Sequence, residues 1–155
     1  MSEPVINSAS QSTVLTAAKW LGGLGALPFV LMTAAIHEIG GLYNPQAPGA
    51  LVGYGAVILT FLGGVQWGLS MAVRDNAGAT WERLVISIIP SLIGWAALFM
   101  PLKSGILALA GAFVVVLAID LLWNRAGRSP LWYPKLRIPL TVIVVTCLIV
   151  AHLGL

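Results

Sequence analysis

The chain has 155 residues, 59% of them apolar, and only eight Lys or Arg and five Asp or Glu. Soluble domains carry about a quarter charged residues, and a soluble chain this short cannot hide so much apolar surface. That excludes a water-soluble enzyme, a nucleic-acid module and a disordered tail; a net charge of +3 without a long basic run offers no phosphate-binding surface.

Residues 1–18 are polar, with one acid, Glu3, and no base. They lack the basic n-region and cleavage site of a secretory signal and the arginines of a mitochondrial presequence. They read as a short N-terminal tail, disordered or lying on the membrane surface, ahead of a single domain over 19–155.

A bilayer core of about 30 Å needs roughly 20 mostly apolar residues per helix. Five windows qualify, at about 20–37, 50–73, 84–100, 105–123 and 138–155. They lack the period-2 alternation of barrel strands and are twice their length. The expected fold is an all-α integral membrane protein, a five-helix transmembrane bundle. The basic residues Lys19, Arg74, Arg83, Arg125, Arg128, Lys135 and Arg137 fall on one side of this topology and Lys103 alone on the other. The positive-inside rule then places the N-terminus in the cytoplasm and the C-terminus in the periplasm.

In the first window Gly22, Gly23 and Gly25 precede Pro28, and His37 and Glu38 close it. Along the second run Gly49, Gly53, Ala56, Thr60, Gly64 and Gly68, spaced by threes and fours. Small residues let helix backbones approach closely in lipid, so the stripe marks a helix–helix contact. An intramolecular contact is favoured, with the glycine-rich first helix a candidate neighbour; a homodimer or partner subunit is the alternative. Pro28 and Pro90 should kink helices one and three by freeing the carbonyls of Leu24 and Ile86. Ser87 and Ser91 are placed to satisfy the group freed in helix three. Trp67, Trp81, Trp123, Trp132 and Tyr133 gather at the predicted cytoplasmic helix ends, the pattern of an interfacial aromatic belt.

An ionisable residue at membrane depth is a functional hypothesis by default. Asp120 is the one acid clearly inside a window, about one turn from its cytoplasmic end, with Arg83 and Arg137 at similar depth and Gln66 about two turns in. A structural Asp–Arg tie is the plainer reading; a proton-carrying carboxylate, its path extended by Gln66, is the sharper one. His37 and His152 both reach the opposite interface, where two imidazoles could ligate haem or, with Glu38, a metal ion. Hydrated interfacial histidines are the commoner use, and no cofactor is assigned. Cys147 excludes an internal disulfide and a multi-cysteine metal site. No phosphate loop, His-Glu-x-x-His motif or nucleophile elbow occurs, and the chain reads as a non-enzyme.

The run from Gly53 to Gly68, with Tyr54, Ile58, Leu59, Phe61, Leu62, Gly63, Gly64, Trp67 and Gly68, resembles an uncharacterised family of small multi-span proteins, a domain of unknown function, that includes mitochondrial transmembrane protein 69. The family signature is Tyr-x-x-x-Ile-Leu-x-Phe-Leu-Gly-Gly-x-x-Trp-Gly. Ile89-Pro90-Ser91-Leu92-Ile93-Gly94-Trp95 and Trp132-Tyr133-Pro134-Lys135-Leu136-Arg137 with Leu140-Thr141 also match, so the resemblance covers roughly 43–150. It implies a bacterial inner membrane or its mitochondrial descendant and adds no catalytic residue. It marks Phe61, Gly63, Gly64, Trp67, Pro90, Trp95, Trp132 and Arg137 for mutation. Without a presequence, the expected location is a bacterial inner membrane.

The leading functional expectation is a non-catalytic accessory or assembly partner of a larger membrane complex, a respiratory one being suggested by the mitochondrial relative alone. Its surroundings are the bilayer and a membrane-protein partner or a second copy, with contacts at Gly53, Thr60, Gly63, Gly64, Trp67 and Gly68. A transporter or channel using Asp120 and Gln66 is the alternative, and a haem- or quinone-binding redox protein using His37 and His152 the third reading.

Overall fold

A helix covers most of each apolar window and starts earlier than the window does. The computed structural model describes residues 8–72, 77–127, 129 and 132–155. They form α1 (Ser8–Ile36), a short 3-10 turn (Ile39–Gly41), α2 (Ala47–Ala72), α3 (Ala77–Ala97), α4 (Leu102–Arg125) and α5 (Tyr133–Gly154). The early starts of α2 and α5 share a cause. First-turn N–H groups need no partner inside the helix, so prolines and polar residues that fall outside a hydropathy window still fit there. Pro48 and Pro134 occupy such positions. The largest difference lies in the expected tail, which is helical from Ser8 onward. The basic stretch between helices four and five likewise shrinks, because Tyr133 to Arg137 belong to α5. Arg74 and Arg128 lie outside the described residues.

Among the described residues four helices are long and apolar enough to cross a membrane, over Leu15–Ile36, Ala47–Met71, Leu102–Arg125 and Tyr133–Gly154. α3 is less apolar, carrying Glu82, Arg83, Ser87 and Ser91. Large side chains such as Leu24, Val57, Phe61, Leu92, Val115 and Val142 are exposed on the outer faces. In water such coverage would be untenable; against acyl chains it is the expected surface.

The helices pack in a ring in chain order, α1 to α5 and back to α1, with α2 also touching α4 across it. Phe29 of α1 sits at the centre, edge-on to Tyr54 of α2 at 5.1 Å and to Phe113 of α4 at 6.0 Å. Leu51, Leu59, Ile106, Leu109 and Leu148 complete a core with no exposed surface. Without a hydrophobic drive between helices in lipid, close packing must hold them, and three glycines show where it is closest. A methyl group on Gly63 would stand 2.5 Å from the Ser87 carbonyl oxygen, and one on Gly94 3.0 Å from that of Ala56. One on Gly105 would stand 2.8 Å from the Ala97 carbonyl. α2 and α3 thus run antiparallel with backbones nearly touching at two levels.

Pro28 and Pro90 sit inside α1 and α3, and because α5 begins at Tyr133, Pro139 is internal as well. The Ser87 hydroxyl donates to the Leu84 carbonyl at 2.7 Å rather than to the one Pro90 frees. Between α1 and α2 the chain reverses through Glu38, Gly40 and Gly41, all with positive φ. Glycine adopts that conformation without the Cβ clash other residues meet.

Candidate functional site

Asp120, one turn from the end of α4, is the centre of the polar residues at membrane depth. Its side chain lies between α2 and α5, which sets its two partners. Arg137 donates from Nε to one carboxylate oxygen at 2.7 Å, and Gln66 donates from Nε2 to the other at 3.1 Å. All three residues are buried, as are Arg83, Ser70, Ser87 and Thr141. The Ser70 hydroxyl turns back to the Gln66 carbonyl at 2.8 Å. Charge-assisted bonds of this kind are short and strong because the surroundings screen them weakly. Gln66 and Arg137 each keep one polar atom, Oε1 and Nη2, buried without a partner, and so does Thr141 at Oγ1.

The structure thus joins the expected Asp120, Gln66 and Arg137, and the arginine of the tie is Arg137. Two of the seven residues counted as a basic rim, Arg83 and Arg137, are buried in the bundle instead. The aromatic end is also divided. Trp67 and Trp81 are exposed, but Tyr133 is buried and stacks edge-on against Trp132 with ring centroids 6.1 Å apart.

At the opposite end His37 and the end of α5 meet. His37 Nε2 lies 3.0 Å from the Val150 carbonyl near the end of α5. Its ring packs over Gly154, where a methyl group would come within 2.5 Å of it. His37 therefore ties the end of α1 to the end of α5. His152 stands nearby with a buried Nδ1 that has no partner. Among the described residues no three His, Cys, Asp or Glu groups gather as metal ligands.

The small-residue stripe on α2 is not an internal contact. Among the described residues nothing lies within 4 Å of the position a Cβ would take on Gly49, Gly53, Gly64 or Gly68, and Thr60 is exposed with its hydroxyl turned to the Ala56 carbonyl at 2.9 Å. Only Ala56 is buried against α3. At about 100° per residue, positions 49 to 68 drift by about 100° around the helix, away from the α3 face that Ala56 and Gly63 share. Helix one is not its neighbour. Gly22 packs against Leu140 of α5, where a methyl group would stand 2.8 Å from the side chain. Gly25 accepts a 2.9 Å hydrogen bond at its carbonyl from the Tyr54 hydroxyl.

A cavity of about 390 Å³ lies between α1, α2 and α5, with Phe113 of α4 at its back. Its walls are almost wholly apolar, and Tyr133, Arg137 and Thr141 supply its polar groups. Sequence reasoning missed this cavity and the roles of Tyr54 and Thr141. A tyrosine inside an apolar run is the signal that was present, because its hydroxyl must find a partner when buried.

The family described as "Protein of unknown function (DUF3429)" matches residues 14–153. "Transmembrane protein 69" of Xenopus tropicalis is 36% identical over 134 residues, covering 85% of this chain and 52% of the relative. "Transmembrane protein 69" of Mus musculus is 30% identical over 103 residues, covering 65% of this chain and 41% of the relative. The chain spans about half the length of these eukaryotic relatives or less, and no solved structure matches it. With the match running through all five helices, this protein belongs to the DUF3429 family of transmembrane proteins of unknown function.

Proposed function

We propose that the protein is a non-catalytic accessory or assembly partner within a larger membrane complex. The observation that carries this reading is the open stripe of Thr60, Gly64 and Gly68. Within the chain α2 packs through Gly55, Gly63 and Ala56, and a second surface of small residues on the same helix stays uncovered. Small residues at a helix surface favour close approach by another helix. The bilayer and one protein partner, or a second copy, are its surroundings.

The proposed topology has five spans in a bacterial inner membrane. α3 is the third span because it follows α2 side by side through Gly63–Ser87 and Gly94–Ala56. The end bearing Lys19, Arg125 and Lys135 faces the cytoplasm, as the positive-inside rule requires, leaving Lys103 outside. Transport through Asp120 and Gln66 has less support, because both carboxylate oxygens are engaged in structural bonds.

Photo-crosslinking residues placed at Thr60 and Gly64 test the reading in native membranes, with Val114 on the lipid-facing side of α4 as the control. The stripe positions should capture one defined protein that Val114 does not. Capture of lipid alone at all three positions would end the proposal.

A further inference from the structure

The cavity beside Asp120 has a shape and chemistry that the partner reading does not use. Its volume of about 390 Å³ lies in the range of small-molecule sites, roughly 300–1,000 Å³. Its rim includes Leu21 and Phe61, which are 69% and 63% exposed. In a membrane these side chains face acyl chains, so the mouth opens sideways into the bilayer. Inside, Phe29, Leu62 and Val144 form dry walls, and water gains little in such a space without several polar partners.

The polar groups narrow the occupant further. Arg137 and Thr141 line the cavity, are 6% and 3% exposed, and each has one buried polar atom without a partner. Such atoms are costly to leave unsatisfied. The Arg137 charge is already met by Asp120 through Nε. What remains at Nη2 is a hydrogen-bond donor beside a neutralised pair, which suits an uncharged acceptor. An anion would sit next to the Asp120 carboxylate with no countercharge of its own. Depth supplies the last argument. Arg137 lies one turn, about 6 Å, inside the start of α5, where Trp132 and Tyr133 mark the interfacial end. That is the level just beneath the headgroups, where a bilayer lipid carries its ester carbonyls.

We propose that this cavity holds one acyl chain of a membrane glycerolipid, with its ester carbonyl accepting hydrogen bonds from Arg137 and Thr141 and its hydrocarbon lying against Phe29, Leu62 and Val144.

The test uses the full chain in nanodiscs of diacyl phosphatidylcholine, or of the dialkyl ether analogue that lacks the carbonyls, with native mass spectrometry counting retained lipid. The wild type should keep one diacyl lipid and keep the ether lipid poorly. Thr141→Val removes the hydroxyl with little change of shape and should weaken retention about three- to tenfold. Gly25→Leu should abolish it, since a Cβ there meets only the Tyr54 hydroxyl, at 4.0 Å, and the larger side chain would fill the cavity. Should Gly25→Leu not fold, the ether comparison and Thr141→Val decide the matter by themselves. Equal retention of ester and ether lipids, or by wild type and Thr141→Val, overturns the proposal. So does displacement of the lipid by equimolar decylubiquinone, which would assign the cavity to a quinone-type carbonyl instead.

Discussion

Arg137 and Asp120 form a buried ion pair across 2.7 Å that joins α5 to α4 inside the bundle. Neither residue can be removed singly without leaving a charge where solvent does not reach. Breaking such a pair costs about 3–5 kcal/mol, whereas replacing both partners by apolar groups can be neutral. Asp120→Leu should therefore lower the melting temperature in detergent strongly, and Asp120→Leu with Arg137→Leu should recover most of the loss. Additive losses in the double variant would show that the pair is not the source of the effect.

Gly63 and Gly64 are adjacent in sequence and opposite in consequence. Gly63→Ala puts a methyl group against the Ser87 carbonyl, and overpacking of this kind costs about 1–3 kcal/mol. The Cβ of Gly64→Leu meets nothing within 4 Å among the described residues, and the substitution should change stability by less than about 0.5 kcal/mol. Thermal unfolding of the purified variants separates the two. If the partner reading holds, Gly64→Leu also abolishes the crosslink made from Thr60.

His37→Ala removes the bond to the Val150 carbonyl and uncovers Gly154. A hydrogen bond of this type contributes about 0.5–1.5 kcal/mol. The loss should appear locally, as faster hydrogen exchange in the last turn of α5 with the rest of the helix unchanged. Uniform protection in wild type and variant would mean that the His37 contact contributes nothing.

Tyr54→Phe keeps the ring against Phe29 but leaves the Gly25 carbonyl without its 2.9 Å donor. The expected cost is about 1 kcal/mol, read as a small fall in melting temperature. Tyr54→Leu, which also loses the ring contact, should fall further.

Topology is open to a direct check in a Cys147→Ala background. Ser104 and Ala126 are exposed at opposite ends of α4. A membrane-impermeant maleimide should label Ser104→Cys in intact cells and Ala126→Cys only after lysis. The reverse pattern would invert the proposed orientation.

Composition alone determined that this chain belongs in a membrane, because 59% apolar residues leave a small domain no way to hide its surface in water. Hydropathy windows located each described α-helix, and depth along them placed Asp120 and Arg137 at a similar level, with Gln66 about a turn deeper, before any contact was known. The starts of α2 and α5 were less legible, since a first turn tolerates polar and proline residues that a window excludes. Which side chains meet depended on rotation about each axis. One residue is about 100°, so the spacing of Gly63 and Gly64 among small residues could not tell the face pressed on Ser87 from the face left open. The cavity was invisible for the same reason. Its walls come from four helices, and no local pattern records that Thr141 and Arg137 open into the space beside Phe29, because only the packing of α1 against α5 creates that space.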